Sequence, residues 1–315
     1  MRRRVFAVLR ILAYGLVVVF LGSQLWLARH GLVDSVRTVG LGNALLAAVL
    51  ASVGGLPGMF GWRILLAGLG TRLPTREALR VYFVGGLARY IPGGIWPAVA
   101  HASMATSLGE PPARLAAAFL ASQGLAVVAG LLVGLLALPA LVATSPLWWL
   151  LLPVLAAAAV PVLAPGTLQA PLTLGARLLR RSATLELPGR AALGKATALM
   201  ALGWLISGTH VAVLAVALGA DPLTTLTVGI GGFALSVVAG VVALVLPSGL
   251  GVRELVLGLT LATLLTGPAL VTVVALSRIL ITVVDAASTL VVLAALGVLR
   301  PTRVPAPLTL ERTPS

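Results

Sequence analysis

The chain has 315 residues, of which 59% are hydrophobic and only 10% are charged. A soluble domain carries about 25% Asp, Glu, Lys and Arg, so the composition excludes an ordinary water-soluble globular protein. The net charge of +14 would suggest nucleic-acid binding in a soluble chain, but here the basic residues lie between hydrophobic runs, where they mark cytoplasmic loops. The absence of cysteine excludes disulfides and thiol chemistry.

Apolar runs of about 20 residues predict an all-α, polytopic membrane bundle. The first run, 5–28, follows three arginines and is longer than the apolar core of a signal peptide, about 7–15 residues, so we predict a retained helix with a cytoplasmic N-terminus. Five further uninterrupted spans are predicted at 41–66, 115–139, 147–164, 196–219 and 269–298. Residues 1–299 thus form one transmembrane domain, and the proline-rich, basic segment 300–315 is predicted to be a disordered cytoplasmic tail.

Two basic loops, 63–80 and 177–195, set the predicted topology, because arginine-rich loops face the cytoplasm. Two full spans lie between these loops, so the hydrophobic, Pro/Gly-broken region 81–107 should enter and leave on the same side as a re-entrant hairpin. A second broken region, 225–266, is compatible either with an outward-facing hairpin or with two crossings. Both leave the C-terminus in the cytoplasm.

The spacing of these elements suggests an internal repeat. A constant shift along the chain places span 41–66 on 196–219 and Pro92 on Pro247, within half-repeats of about 30–140 and 190–299. The predicted topology gives corresponding spans opposite orientations, which is typical of an inverted repeat. Interrupted segments at matching positions of two such halves point to a transporter's binding site. The match lies in spacing and hydropathy, not in residue identity.

The first interruption covers residues 89–97. Proline lacks a backbone donor and glycine permits unusual dihedrals, and broken backbone inside a bilayer must be covered by protein or line a watery cavity. Free N–H groups at a hairpin tip favour an anion, and an arginine can bind two phosphate oxygens. The alternative is a kinked helix with a snorkelling arginine and interfacial aromatic residues. The candidate headgroup-binding residues here are Arg89, Tyr90, Pro92, Gly93, Gly94 and Trp96.

The second interruption, 246–254, repeats the Pro/Gly break and follows it with an adjacent Arg–Glu pair. Charges at membrane depth are functional candidates by default, whereas in a short surface loop the same pair would simply be solvated. The sequence leaves both interpretations open. The candidate headgroup-binding residues are Pro247, Gly249, Gly251 and Arg253.

Three further charged residues are assigned to charge coupling: Glu254, Arg278 and Asp285. Arg278 and Asp285 lie on one polar stripe of span 269–298 but about two turns apart, so we expect each to face a partner on another element. Asp285 with Arg253 or Arg89, and Glu254 with Arg278, are the plausible pairs. A structural ion pair that locks the bundle is the alternative to a hydrophilic path or a proton-carrying carboxylate.

The segments Arg-Tyr-Ile-Pro-Gly-Gly-Ile-Trp-Pro at 89–97 and Pro-Ser-Gly-Leu-Gly-Val-Arg-Glu at 247–254 together resemble the lysylphosphatidylglycerol synthase transmembrane region, also called the flippase-like family. The resemblance covers nearly the whole chain in length, hydropathy and spacing. It implies a bundle of about eight helices with re-entrant elements that moves lipids between leaflets. Full synthases of the family add a soluble aminoacyl-transferase domain, which we do not expect here.

We therefore predict a flippase-like protein of a bacterial inner membrane that translocates an anionic or glycosylated lipid. We expect no catalytic residues, metal or cofactor and no nucleic-acid partner. In this prediction Arg89 and Arg253 bind phosphate, while Glu254 and Asp285 orient those arginines or carry protons. One alternative is a non-transporting subunit that presents lipid-linked substrate to a separate glycosyl- or aminoacyl-transferase. The other is a membrane-embedded transferase that uses one of the two acids as a base.

Overall fold

The computed structural model describes residues 36–91, 93–163, 188–243 and 247–296. Throughout these ranges the regular structure is helical, which confirms the all-α prediction. The predicted first helix at 5–28, most of the basic loop 177–195 and the predicted tail 300–315 lie outside the described residues, as does Pro92.

The first half of the described chain contains seven α-helices and three 3-10 turns. They are α1 Leu41–Val53, α2 Gly55–Gly68, α3 Thr75–Gly86, a 3-10 turn Leu87–Tyr90, α4 Trp96–Ser107, α5 Pro112–Gly134, a 3-10 turn Leu135–Ala137, α6 Leu138–Thr144, a 3-10 turn Pro146–Leu150 and α7 Leu151–Leu163. The second half contains α8 Arg190–Ala217, α9 Pro222–Val242, a 3-10 turn Pro247–Gly249, α10 Val252–Leu261 and α11 Gly267–Ala295. We call Leu87–Tyr90 the first break turn and Pro247–Gly249 the second break turn.

Five helical segments are long and apolar enough to cross a membrane. They are Leu41–Gly68, Pro112–Thr144, Arg190–Ala217, Pro222–Val242 and Gly267–Ala295. Four of them overlap predicted spans, and the fifth, Pro222–Val242, overlaps the predicted broken region 225–266. The predicted span 147–164 is instead a 3-10 turn followed by the 13-residue α7, and it does not belong to this group. The protein is therefore a helical, multi-pass membrane protein in its described part.

Local sequence explains why the first long segment is two helices and not one. Pro57 lacks the N–H that would bond to the carbonyl of Val53, and α1 ends at Val53. Gly54 joins the two pieces in a helical conformation, with φ −61° and ψ −19°. The chain therefore passes from α1 to α2 through one residue that keeps a helical conformation.

The outer surface of the bundle is apolar. Leu41 on α1 is 65% exposed, and Val271 and Val291 on α11 are each 66% exposed. Water would make such a surface costly, whereas the hydrocarbon core of a bilayer is as apolar as these side chains. The exposed leucines and valines therefore fit helices that are surrounded by lipid.

Helix α8 is the central helix, and it packs against α1, α2, α5, α9 and α11. Small residues make these approaches close. A Cβ added at Gly203 would lie 2.8 Å from the carbonyl oxygen of Gly54, and one added at Gly208 would lie 2.8 Å from the Cα of Ile230. Close backbone approach of this kind is how membrane helices gain packing energy without a hydrophobic effect between them.

We expect Gly208→Ala to lower the melting temperature of the detergent-solubilised protein, because the new methyl group would press on the backbone of α9 at Ile230. Gly194→Ala is the matched control on the same helix, since an added Cβ there meets nothing within 4 Å. That control should be neutral or stabilising, by up to about 1 kcal/mol, through higher helix propensity. Equal melting temperatures for the two variants would contradict the close packing of α8 and α9.

The segments around the two breaks are shorter than a membrane span. Helices α3 and α4 have 12 residues each, which is about 18 Å at 1.5 Å per residue, while the hydrocarbon core is about 30 Å thick. They pack against each other. In the second region α9 has 21 residues and α10 has 10, so the two helices that flank the second break turn differ in length.

Asp221 begins α9 as its N-cap, outside the membrane-spanning segment. Its Oδ2 atom accepts hydrogen bonds from the backbone N–H of Thr224 at 2.9 Å and from the Thr224 hydroxyl at 2.8 Å. These bonds, the backbone one first, lower the pKa of the Asp221 carboxyl below its ordinary value of 3.8. An ionised carboxylate thereby stabilises the start of the helix.

A depressed pKa gives the cap a defined pH dependence. Its stabilising effect is complete above the ordinary value of 3.8 and is lost as the pH falls through the lowered pKa. We therefore expect Asp221→Ala to lower the melting temperature at pH 7 and to lose that difference in strong acid. Asp221→Asn, which keeps an acceptor without a charge, should be less destabilising at pH 7. A wild-type-minus-Ala difference that does not change with pH would contradict this assignment.

Candidate functional site

The two break turns lie against each other, although they are far apart in the sequence. Backbone that ordinary residues avoid follows the first break turn, with φ 90° at Gly93, and lies in and after the second, with φ 50° at Ser248 and 83° at Gly251. Ile91 is extended, with ψ 131°, as expected for a residue that precedes proline. Irregular backbone from both predicted interruptions thus meets at one place in the bundle.

Small residues hold the second break turn close to α9. A Cβ at Gly249 would overlap the Cα of Gly240, and a Cβ at Gly240 would lie 2.5 Å from the Cγ of Arg253. Gly240, Gly249 and the stem of Arg253 therefore stack without space between them. This stack fixes the position from which the Arg253 guanidinium extends.

The first cluster of charges joins the first break turn to α11. The hydroxyl of Tyr90 donates to Asp285 Oδ2 at 2.7 Å, and Arg89 Nη1 lies 3.5 Å from the same oxygen. Arg89 also donates from Nε to the carbonyl of Gly86 at 2.9 Å. Tyr90 is buried, whereas 46% of the Arg89 side chain is exposed. One carboxylate thus holds two consecutive side chains of the turn.

The second cluster joins the second break turn to the same helix. Arg278 Nε lies 3.2 Å from Glu254 Oε1, and its Nη1 donates to the carbonyl of Ser248 at 3.0 Å. Glu254 Oε2 accepts the backbone N–H of Gly251 at 2.6 Å, which caps the start of α10. Both carboxylate oxygens of Glu254 are therefore engaged.

These contacts decide between the pairs that the sequence left open. Asp285 pairs with Arg89 and not with Arg253, and Glu254 pairs with Arg278. The prediction that Arg278 and Asp285 face partners on other elements is confirmed. Of the two acids predicted to orient Arg89 and Arg253 or to carry protons, Asp285 contacts Arg89, while Glu254 caps its own helix and pairs with Arg278 on α11.

Arg253 belongs to neither of these two ion pairs. In the described part of the chain its guanidinium has no hydrogen-bond acceptor and no carboxylate within 4.0 Å. Its nearest aromatic neighbour is Phe233, whose ring centroid lies 5.9 Å from the Arg253 Cζ. Its guanidinium thus makes a weak cation–π contact with Phe233, and at longer range its charge also interacts with Asp285, Glu254 and Arg278.

Arg253 faces two adjoining cavities, which we call the larger and the smaller chamber. Their volumes are about 290 Å³ and about 160 Å³. The larger chamber is bounded by α4, α5 and the two break turns, and the smaller one by α1, α2, α8 and α11. The residues common to both are Tyr82, Arg89, Gln123, Ala126, Trp204, Val237 and Arg253.

The candidate headgroup residues divide between the chambers and their surroundings. Arg89 and Arg253 line both chambers, while Gly94 and Gly249 line the larger one. Among the charge-coupling residues, Asp285 lines the smaller chamber. The remaining described candidates line neither chamber: Tyr90, Gly93, Trp96, Pro247, Gly251, Glu254 and Arg278. Pro92 lies outside the described residues.

Some chamber residues were not among the sequence candidates, and Gln123 is the clearest case. A glutamine in an apolar helix is a detectable signal, but it is more often explained by hydrogen bonds between helices. That explanation fits His210, whose Nε2 lies 2.8 Å from Ser277 Oγ. It does not fit Gln123, whose side chain lines both chambers and makes no hydrogen bond to any described residue.

The aromatic walls are the second group that the sequence did not reveal. Trp204 donates its indole N–H to the carbonyl of Ala126 at 2.9 Å, and its ring meets Phe233 at 6.1 Å in a T-shaped contact. Both rings are ordinary apolar residues of a span in the sequence, and only the packing of α5, α8 and α9 turns them toward a cavity.

The chain was compared with protein-family models, with curated proteins and with solved structures, and none of them matches it.

Proposed function

We propose that this protein binds the anionic headgroup of a membrane lipid in the two chambers and moves that lipid between the leaflets. The observation that carries the proposal is Arg253, a guanidinium that faces both chambers and has no carboxylate partner among the described residues. A guanidinium binds two phosphate oxygens at once, which suits a phosphodiester.

The charge balance of the site supports an anionic ligand. Three arginines and two carboxylates surround the break turns, and both carboxylates are engaged by other groups. One positive charge therefore remains inside an apolar bundle, where an unpaired charge is costly. A bound anion that neutralises this charge would therefore stabilise the site.

The volume of the chambers supports binding of a lipid headgroup and not of a whole lipid. Cavities for drug-sized ligands span about 300–1,000 Å³, and the two chambers lie below or at the edge of that range at about 160 Å³ and about 290 Å³. A headgroup suits such a space, and the acyl chains of the lipid would remain in the bilayer beside the apolar outer surface.

The short helices support a site at membrane depth. Helices α3 and α4 are too short to span, and we propose that they form a re-entrant hairpin whose broken backbone is covered by the second break turn. The predicted inverted repeat, with both termini cytoplasmic, fits this arrangement. The resemblance to the flippase-like family points to the same function.

The test is a leaflet-resolved assay on purified protein in liposomes that contain labelled phosphatidylglycerol. We expect proteoliposomes to expose inner-leaflet label to a membrane-impermeant quencher faster than protein-free liposomes. Labelled lipid that binds to the protein but is not translocated would favour the accessory role, in which the protein presents lipid to a transferase. The absence of both binding and translocation would overturn the proposal.

A further inference from the structure

The smaller chamber contains uncharged hydrogen-bonding groups that have no hydrogen-bond partner among the described residues. The amide of Gln123, the hydroxyl of Tyr82 and the hydroxyl of Ser207 line it, and none of them makes a side-chain hydrogen bond to a described residue. Polar groups inside a membrane protein are normally paired, because an unpaired one loses its bonds to water. Three such groups in one chamber indicate a ligand that offers neutral donors and acceptors.

Among the described residues that line this chamber there is one carboxylate, and it already has a hydroxyl and a guanidinium beside it. Asp285, its carboxylate, already receives the Tyr90 hydroxyl and faces Arg89. An ammonium group in this space would lie beside Arg253 and Arg89 without a carboxylate of its own. Like charges in a poorly solvated space repel strongly, so the chamber disfavours a headgroup that ends in an amine.

The aromatic walls raise one rival, because stacked aromatic rings also bind quaternary ammonium groups. Phe233, however, already faces the Arg253 guanidinium at 5.9 Å, and Trp204 presents its ring against Phe233. A choline group there would compete with a fixed guanidinium for the same ring. The rings are better suited to the C–H faces of an uncharged polyol.

We propose that the smaller chamber selects a lipid phosphodiester whose headgroup is an uncharged polyol, such as glycerol or a sugar, over one that ends in an ammonium group. The selectivity rests on the proposed function, since it concerns the same site. The single phosphodiester charge lies at Arg253, and the hydroxyls of the polyol bond to Gln123, Tyr82 and Ser207. Both phosphatidylglycerol and a polyprenyl-phosphate sugar have this chemistry.

The experiment measures displacement of labelled phosphatidylglycerol from the purified full-length protein in detergent. The competitors are unlabelled phosphatidylglycerol, a polyprenyl-phosphate hexose, phosphatidylethanolamine, phosphatidylcholine and phosphatidic acid. We expect one or both polyol lipids to compete at least 10-fold better than the two ammonium lipids, and the better of the two identifies the source of the headgroup. Phosphatidic acid, which has the phosphate without the alcohol, should compete less well than the polyol lipids.

Variants connect the selectivity to the chamber. Gln123→Leu and Ser207→Ala should each reduce the polyol preference, by roughly 3- to 10-fold per lost hydrogen bond. Thr209→Val is the matched control on α8, because its hydroxyl donates to the carbonyl of Leu205 and lines neither chamber. If Gln123→Leu does not fold, Gln123→Glu supplies a stronger test. A carboxylate at that position should shift the preference toward phosphatidylethanolamine.

Several results would overturn the inference. They are equal competition by polyol and ammonium lipids, phosphatidic acid binding as well as phosphatidylglycerol, or an unchanged preference in both chamber variants. Selective binding without translocation would leave the inference standing and overturn the transport function. Translocation without headgroup selectivity would overturn the inference and leave the transport function standing.

Discussion

Arg253→Ala should reduce the translocation of labelled phosphatidylglycerol by about 10- to 100-fold, the loss expected for one hydrogen-bonded charge pair in a poorly solvated site. Arg253→Gln keeps the stem that packs against Gly240 and Gly249 and removes the charge, so it should leave the melting temperature of the protein unchanged or raise it. Arg253 has no carboxylate partner in the described chain, so its removal deletes an uncompensated charge and breaks no ion pair. Loss of function together with retained stability is what distinguishes a ligand-binding arginine from a structural one.

Two control variants sharpen this result. Arg114→Ala removes a partly exposed arginine whose Nη1 donates to the carbonyl of Gly70 and which lines neither chamber, and it should translocate lipid at the wild-type rate. Arg253→Lys keeps the charge but loses the planar pair of donors, so it should retain part of the activity. Wild-type translocation by Arg253→Ala, or a large fall in the melting temperature of Arg253→Gln, would contradict the assignment.

The membrane architecture could be predicted from the sequence because it depends on long apolar runs, which are visible without a fold. The spans at 196–219 and 269–298 correspond to α8 and α11 for this reason. The span 147–164 was predicted on hydropathy alone, and there the structure has a 3-10 turn before a short helix. Pro146 at the start of that turn and Pro153 within α7 disturb regular helical hydrogen bonding in a way that hydropathy does not record.

The candidate site could be predicted only in part. Arg89, Arg253 and Asp285 were recognisable, because charges and Pro/Gly breaks in apolar sequence have few structural explanations. The pairing of these residues could not be predicted, since Arg89 and Asp285 lie on elements that meet only through tertiary packing. Gln123 and Trp204 became candidates only when the helices were placed, because the sequence does not say which face of α5 or α8 meets a cavity.

Asp285→Ala should have the largest combined effect on stability and function. It removes the acceptor of the Tyr90 hydroxyl and the partner of Arg89, and so it releases the first break turn from α11. Breaking a fully buried ion pair costs about 3–5 kcal/mol. Because the Arg89 side chain is 46% exposed, water can solvate its charge when Asp285 is removed. We therefore expect a smaller loss of unfolding free energy, about 1–3 kcal/mol. Denaturant unfolding in detergent measures the change, and the liposome assay should show a parallel loss of translocation.

The milder variants at this cluster separate the hydrogen bond from the ion pair. Tyr90→Phe removes one hydroxyl and should cost about 1 kcal/mol, whereas Asp285→Asn keeps an acceptor for that hydroxyl and loses the charge. A double-mutant cycle with Arg89→Gln and Asp285→Asn should give a coupling energy of about 0.5–3 kcal/mol.

Stability and transport should then respond differently to the double variant. The pair of neutral side chains can restore stability, because neither leaves an uncompensated charge. It should not restore full translocation if Arg89 also attracts the headgroup, since Arg89 lines both chambers. Additive losses in the cycle would mean that Arg89 and Asp285 do not interact. Full recovery of transport would mean that the cluster only anchors the break turn and that Arg253 alone meets the lipid.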